Sequence, residues 1–235
     1  MKPKLVCLTG LLCDRFVWQE VAEQLQSIAD VEVISFAGFD DLTVMAQHVL
    51  KQVEGEFALA GHSMGARVAL EVYHLEPNRI THLALLNTGV HPRSDKEVPG
   101  RMRLLELAQE HGTKALAKDW LHPMMSHQSL KNNVLIEKLE RMVSAYSFDD
   151  FSKQINALLN RPNAEAVLSS VTVPTLLLSG TEDSWSPVSQ HEAMQKKVER
   201  SELVVINDVG HMAPVEAPVE VAAAMRHWLS ERSRA

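Results

Sequence analysis

Phe57-Ala58-Leu59-Ala60-Gly61-His62-Ser63-Met64-Gly65-Ala66-Arg67-Val68-Ala69-Leu70 is the stretch that decides how this chain folds. Phe57–Ala60 is a short apolar run that reads as a buried strand. Ala66–Leu75 carries helical spacing, and Pro77 closes it. Between them, glycines at 61 and 65 bracket a serine. A strand that turns straight into a helix needs a sharp bend there. Glycines on either side remove side chains that would strike the neighbouring strand and helix. The bend would expose the Ser63 hydroxyl at the sheet's C-terminal edge, with the positive end of the helix dipole beneath it.

Working outward, strand and helix alternate, which predicts a parallel sheet covered on both faces. Residues 4–9, 31–36, 57–60 and 82–86 read as strands, with helices over 16–28, 41–53 and 66–75. From about 91 to 166 the pattern is only helical: 101–110, 113–121, 130–146 and 148–159. The breaks fall at Gly100, Gly112, His122-Pro123 and Arg161-Pro162. Strands at 175–178 and 203–206 and helices at 188–198 and 218–229 then resume the alternation. The expected organisation is a core of residues 1–90 and 167–235 with an all-helical lid, 91–166, inserted after the fourth strand. A long insertion at a strand's C-terminal end borders the usual ligand crevice.

A serine hydroxyl is a weak nucleophile and needs a base. Of eleven histidines, His211 alone follows a strand late in the chain. His62 is expected to point elsewhere, and His122 and His127 to lack the carboxylate or cysteine partners of a metal site. The acid that orients the base is expected at Asp183, just past a strand end, with Glu182 and Asp208 as competitors. Asp208 reads as a loop-shaping residue through a side-chain-to-backbone bond. The order Ser63, Asp183, His211 suits a nucleophile-elbow site. Backbone N–H groups of Met64 and of Leu11, with Leu12 next, are the candidate oxyanion donors, because Gly10 lets that loop approach closely. Substrate-pocket candidates are Leu12, Trp120, Met124, Met125, Trp185 and Met212. Met102, Met142 and Leu121 add to the apolar side chains of the insertion.

The 235 residues are 46% hydrophobic and 23% charged, with a formal net charge of −7 and a pI near 5.9. That balance argues against nucleic acid or an anionic membrane as partner. No apolar run approaches the roughly 18 residues of a membrane span, and no secretory apolar region follows the N-terminus. Cys7 and Cys13 read as small buried apolar residues rather than a disulfide framework. A reduced, cytoplasmic setting is the expectation.

These pieces resemble the α/β-hydrolase superfamily over nearly the whole chain. They are Leu8-Thr9-Gly10 with Trp18, Gly61-His62-Ser63-Met64-Gly65, Gly180-Thr181-Glu182-Asp183 with Pro187, and Gly210-His211 followed by Glu216 and Pro218. Within it the chain looks like compact bacterial carboxylesterases, enol-lactonases and carrier-protein methyl esterases with a four-helix lid. The resemblance implies acyl transfer to water through an acyl-serine, with no cofactor and no metal. The substrate would be a small ester or lactone, and the protein a monomer or homodimer. Thr9-Gly10 replaces the usual His-Gly. The chain starts at the strand leading to that loop, so the customary antiparallel hairpin is expected to be missing and about six parallel strands to follow. Ser63 departs from the aspartate of epoxide hydrolases and dehalogenases. Met64 and Met212 depart from the tryptophans typical of proline iminopeptidases and meta-cleavage hydrolases.

The first expectation is hydrolysis of a small carboxylic ester. The alternative is a lactone or carrier-bound ester with an anionic group held by Arg93, Arg101, Arg103 or Arg161. A ligand receptor that keeps the scaffold without turnover is a reading of another class. A perhydrolase or haloperoxidase activity is a further reading of the same triad.

Overall fold

The computed structural model describes residues 2–231. Six strands form one wholly parallel sheet in the order β2-β1-β3-β4-β5-β6. They are β1 (Lys4–Leu8), β2 (Asp30–Ile34), β3 (Phe57–His62), β4 (Ile80–Leu86), β5 (Thr175–Gly180) and β6 (Ser201–Ile206). The continuous apolar runs of β3 and β5 are buried along their whole length, as central parallel strands are. The edge strands β2 and β6 are half exposed.

Helices cover both faces: α1 (Gln19–Leu25), α2 (Leu42–Gln52), α3 (Met64–Leu75), then, after the insertion, α8 (Val188–Gln195), α9 (Ala213–Glu216) and α10 (Pro218–Ser230). Trp18 and Trp228 are fully buried against the sheet, and each indole N–H reaches a backbone carbonyl, Leu8 O at 3.1 Å and Pro174 O at 3.0 Å. Burying such a ring is worth about 2–3 kcal/mol once its N–H is satisfied. Cys7 and Cys13 are buried free thiols.

Between β4 and β5 the chain is helical: α4 (Val98–His111), α5 (Asn133–Ser144), α6 (Phe148–Leu159) and the short α7 (Glu165–Ser169). The expected helix over 113–121 is a 3-10 turn (Thr113–Ala115) running into a π turn (Ala117–Leu121). Gly100, expected to break a helix, lies inside α4. It sits in the first turn, where its backbone N–H needs no intrahelical partner. The first helix opens instead as a 3-10 turn over Arg15–Trp18, because the Asp14 carboxylate accepts from Phe16 N at 2.8 Å. No described helix is long and apolar enough to cross a membrane.

The order 2-1-3 makes the gap between β1 and β3 the point where successive connections leave in opposite directions. Ligand crevices form at such switch points. The loops after β1, β3, β4, β5 and β6 all end at this edge.

Candidate active site

Ser63 sits between β3 and α3 at φ 56, ψ −116, a backbone conformation a non-glycine residue rarely adopts. That costs about 1–3 kcal/mol, and the surroundings enforce it. Its N–H donates to Leu86 O at 2.9 Å, and Thr88 Oγ1 donates to its carbonyl at 3.0 Å. The flanking glycines are there for want of room. A Cβ on Gly61 would lie 2.4 Å from the Ala66 and Gly65 backbone, and one on Gly65 2.4 Å from Leu8 O. Helix α3 begins at Met64, immediately after the serine. The N–H groups of its first turn, which have no acceptor within the helix, therefore begin right beside Ser63.

Ser63 Oγ is 2.8 Å from His211 Nε2, and His211 Nδ1 is 3.0 Å from both Asp183 oxygens. A proton on Nδ1 bonded to the carboxylate leaves Nε2 as the acceptor for the hydroxyl. Asp183 is buried and also accepts from Asn87 Nδ2 (2.9 Å), Trp185 N (2.9 Å) and Ser186 N (2.8 Å). Burial alone would raise its pKa. The neighbouring His211 and these donors outweigh it and hold the carboxyl below its ordinary value.

The backbone of His211 is fixed as firmly as its ring. Its N–H donates to Met124 O at 2.7 Å, and its carbonyl accepts from His62 Nε2 at 2.8 Å. His62, expected to point elsewhere, thus supports the His211 loop. Burial first, then His211 beside it, push its pKa down to about 3 and keep it neutral.

The loop after β1 turns through Leu12 at φ 52. Leu12 N–H is taken by Gln154 Oε1 at 2.8 Å, while Gln154 Nε2 donates to Phe36 O at 2.8 Å. That spends Leu12 as a donor toward Ser63. Leu11 and Met64 N–H have no acceptor among the described residues, and both residues line the cavity that holds Ser63. Gln154→Leu should therefore strand two buried backbone groups and loosen the Leu11 loop. The expected result is a loss of about 2 kcal/mol in urea denaturation and a fall in kcat.

That cavity has a volume of about 240 Å³, the small end for ligand sites. Leu11, Trp120, Met124 and Trp185 line it with Ser63, Met64 and His211. Leu12, Met125 and Met212 do not. All three are buried in the packing, Leu12 by its left-handed turn, Met125 and Met212 by amide bonds to His122 O and Glu216 Oε1. Leu121 and Met142 are likewise buried away from it, and Met102 is exposed.

The competing acids sit elsewhere. Glu182 accepts from His127 through the backbone N–H (2.7 Å) and Nδ1 (2.6 Å), and Glu140 pairs with His122 at 2.9 Å. Each of these histidines therefore has the carboxylate partner the sequence did not suggest. Asp208 shapes its turn by a positive φ of 58, its N–H donating to Thr181 Oγ1, rather than through its side chain. Arg93 and Arg103 pair with Asp95 and Asp119 at the surface. Arg101 and Arg161 line the cavity, together with Arg67, which sequence reading passed over.

The segment after the π turn is stitched to the loops around His211. Besides the Met124 carbonyl on His211 N, Ser126 N donates to Glu216 Oε2 at 2.8 Å, and Glu216 Oε1 accepts from Met212 N at 3.0 Å. Asn87 and Gln154 were not singled out in the sequence; Glu216 was, but only as part of the stretch that follows His211. Asn87 alone carries a local signal, a polar residue directly after an apolar strand.

A hydroxyl, an imidazole and a buried carboxylate in series have the make-up to form and release an acyl group. Residues 5–224 match the model of the alpha/beta hydrolase family. The chain is 25% identical over 213 residues to a pimeloyl-(acyl-carrier protein) methyl ester esterase of Legionella pneumophila, covering 88% of this chain and 87% of that protein. It is also 25% identical to the biotin biosynthesis bifunctional protein BioHC of Teredinibacter turnerae, over 97% of this chain. It spans only 45% of that relative's length. A solved structure of a thermophilic esterase from Thermogutta terrifontis, with malate bound, superposes with a TM-score of 0.87 at 27% identity, covering 97% of this chain and 90% of that one.

Proposed function

We propose, for a chain that belongs to the alpha/beta hydrolase family, that it hydrolyses a small carboxylic ester through an acyl-serine intermediate on Ser63. The observation that carries this reading is the unbroken series from Ser63 Oγ to His211 Nε2, at 2.8 Å, and from His211 Nδ1 to Asp183, at 3.0 Å. Ser63 attacks the ester carbonyl while His211 takes its proton, and Asp183 steadies the imidazolium. Leu11 and Met64 N–H groups receive the negative oxygen of the tetrahedral intermediate. His211 then gives its proton to the departing alkoxide. A water molecule, deprotonated by the same imidazole, attacks the acyl-serine and releases the acid.

In this reading the helical insertion acts as a lid, and its Met124 carbonyl helps set the His211 loop that it covers. The relatives named as esterases are in keeping with the proposal, and the intact relay favours turnover over a ligand receptor. A series of p-nitrophenyl esters from acetate to octanoate tests it. The expected result is turnover with kcat/KM highest on the shortest acyl groups, because the cavity is small. No turnover of any member would contradict the proposal.

A further inference from the structure

One wall of the Ser63 cavity has no part in the acyl-transfer steps. Arg67, Arg101 and Arg161 line it with a single carboxylate, Glu97. Three guanidinium groups less one carboxylate leave two positive charges. Glu97 Oε1 accepts from Arg161 Nη2 at 2.7 Å, and Oε2 from Arg101 Nε and Nη2 at 3.1 and 3.0 Å. Burial raises the Glu97 pKa, but these bonds and charges bring it down to about 2, so it stays ionised. His91 adds no charge of its own, since burial first, then Arg67 and Arg161, lower its pKa.

The three arginines are held differently. Arg161 is fixed, its side chain 2% exposed and its donors committed to His91 O, Leu158 O, Pro92 O and Glu97. Arg101 is committed to Glu97. Arg67 gives only Nη1, to His91 O at 3.1 Å. Its Nε and Nη2 have no partner among the described residues. Burial, and Arg161 next to it, pull the Arg67 pKa down to about 9, leaving it charged at neutral pH. A half-buried guanidinium crowded by like charges, with donors left over, favours an anion as its partner.

Arg67 follows Ser63 by four residues on α3, so it lies about 6 Å further along the helix axis. Leu104, Ile155 and Leu158 supply apolar lining in the same cavity.

We infer that Arg67, backed by Arg101 and Arg161, binds a carboxylate of the substrate, so that the preferred substrates are half-esters of short dicarboxylic acids. One carboxyl group is esterified and meets Ser63. The other is ionised and lies on the Arg67 fork, with the methylene linker along the apolar lining. A planar carboxylate matches the two parallel donors of a guanidinium. Water replaces the alkoxy group, and the products are the dicarboxylate and an alcohol. This inference rests on the reading of Ser63 as nucleophile, and the test separates the two.

The experiment compares monomethyl glutarate with dimethyl glutarate in the wild type, Arg67→Met and Arg67→Lys. It adds calorimetric titration of monomethyl glutarate into Ser63→Ala and Ser63→Ala/Arg67→Met. The wild type should favour the half-ester in kcat/KM by about tenfold or more, the scale of one lost charge-assisted pair. Arg67→Met should collapse that ratio mainly through the half-ester KM, and Arg67→Lys should restore part of it. A ratio near one in the wild type, or an equal loss on both esters in Arg67→Met, would overturn the inference. So would failure of Ser63→Ala to bind the half-ester. Binding that depends on Arg67, with no turnover of either ester, would keep the carboxylate site and sink the hydrolase reading instead.

Discussion

Ser63→Ala lowers kcat on a short p-nitrophenyl ester by about 10⁴-fold or more, with little change in KM. The variant removes only the Oγ that lies 2.8 Å from His211 Nε2. The cavity walls and the Leu11 and Met64 N–H groups stay, so binding survives while the acyl acceptor is lost. Because Ser63, His211 and Asp183 form one hydrogen-bonded series, they should act as a unit. The double variant Ser63→Ala/His211→Ala should therefore fall scarcely below either single variant. Steady-state kinetics on matched preparations checks both statements. Independent, multiplying losses would contradict a shared mechanism.

Gly65→Ala should be strongly destabilising. Its Cβ would lie 2.4 Å from Leu8 O and 2.6 Å from both Leu8 C and Thr9 O. All three are backbone atoms of β1 and of the loop that carries Leu11, and none can swing aside. Helix α3 would have to lift off the sheet, at a cost of about 3 kcal/mol or more. Gly100→Ala is the contrast. It lies in α4 with no atom within 4 Å of the added carbon, so it should stabilise by up to about 1 kcal/mol. Urea denaturation of the two variants measures the difference, and similar midpoints would show that the elbow is looser than its geometry implies.

The sheet was legible because its central strands are short, wholly apolar runs separated by helical spacing. The strand ends were not. β3 continues through Gly61 and His62, and β5 through Ser179 and Gly180, residues whose hydropathy does not mark a buried strand. The elbow, Asp183 and His211 stood out because each follows a strand at the same sheet edge, and the fold brings those three side chains into contact. Asn87 and Gln154 did not stand out. Each is one polar side chain whose partner lies far along the chain, as with Leu12 and Gln154, 142 residues apart. No periodicity announces such a pair. Arg67 was hidden for another reason. An arginine on an amphipathic helix reads as solvated, and only the folded chain sets Arg101, Arg161 and Glu97 of the insertion beside it.

Labelling with diethyl p-nitrophenyl phosphate, followed by mass spectrometry of the digested protein, reads out directly whether Ser63 is the activated nucleophile. A phosphoryl transfer reagent traps the serine that the relay activates and reports its position without any assumption about substrate. One diethylphosphoryl group per chain is expected, on the peptide that contains Ser63, with no labelling of Ser63→Ala and strongly slowed labelling of His211→Ala. An unlabelled wild type, or a label carried by another residue and retained in Ser63→Ala, would contradict that role for Ser63.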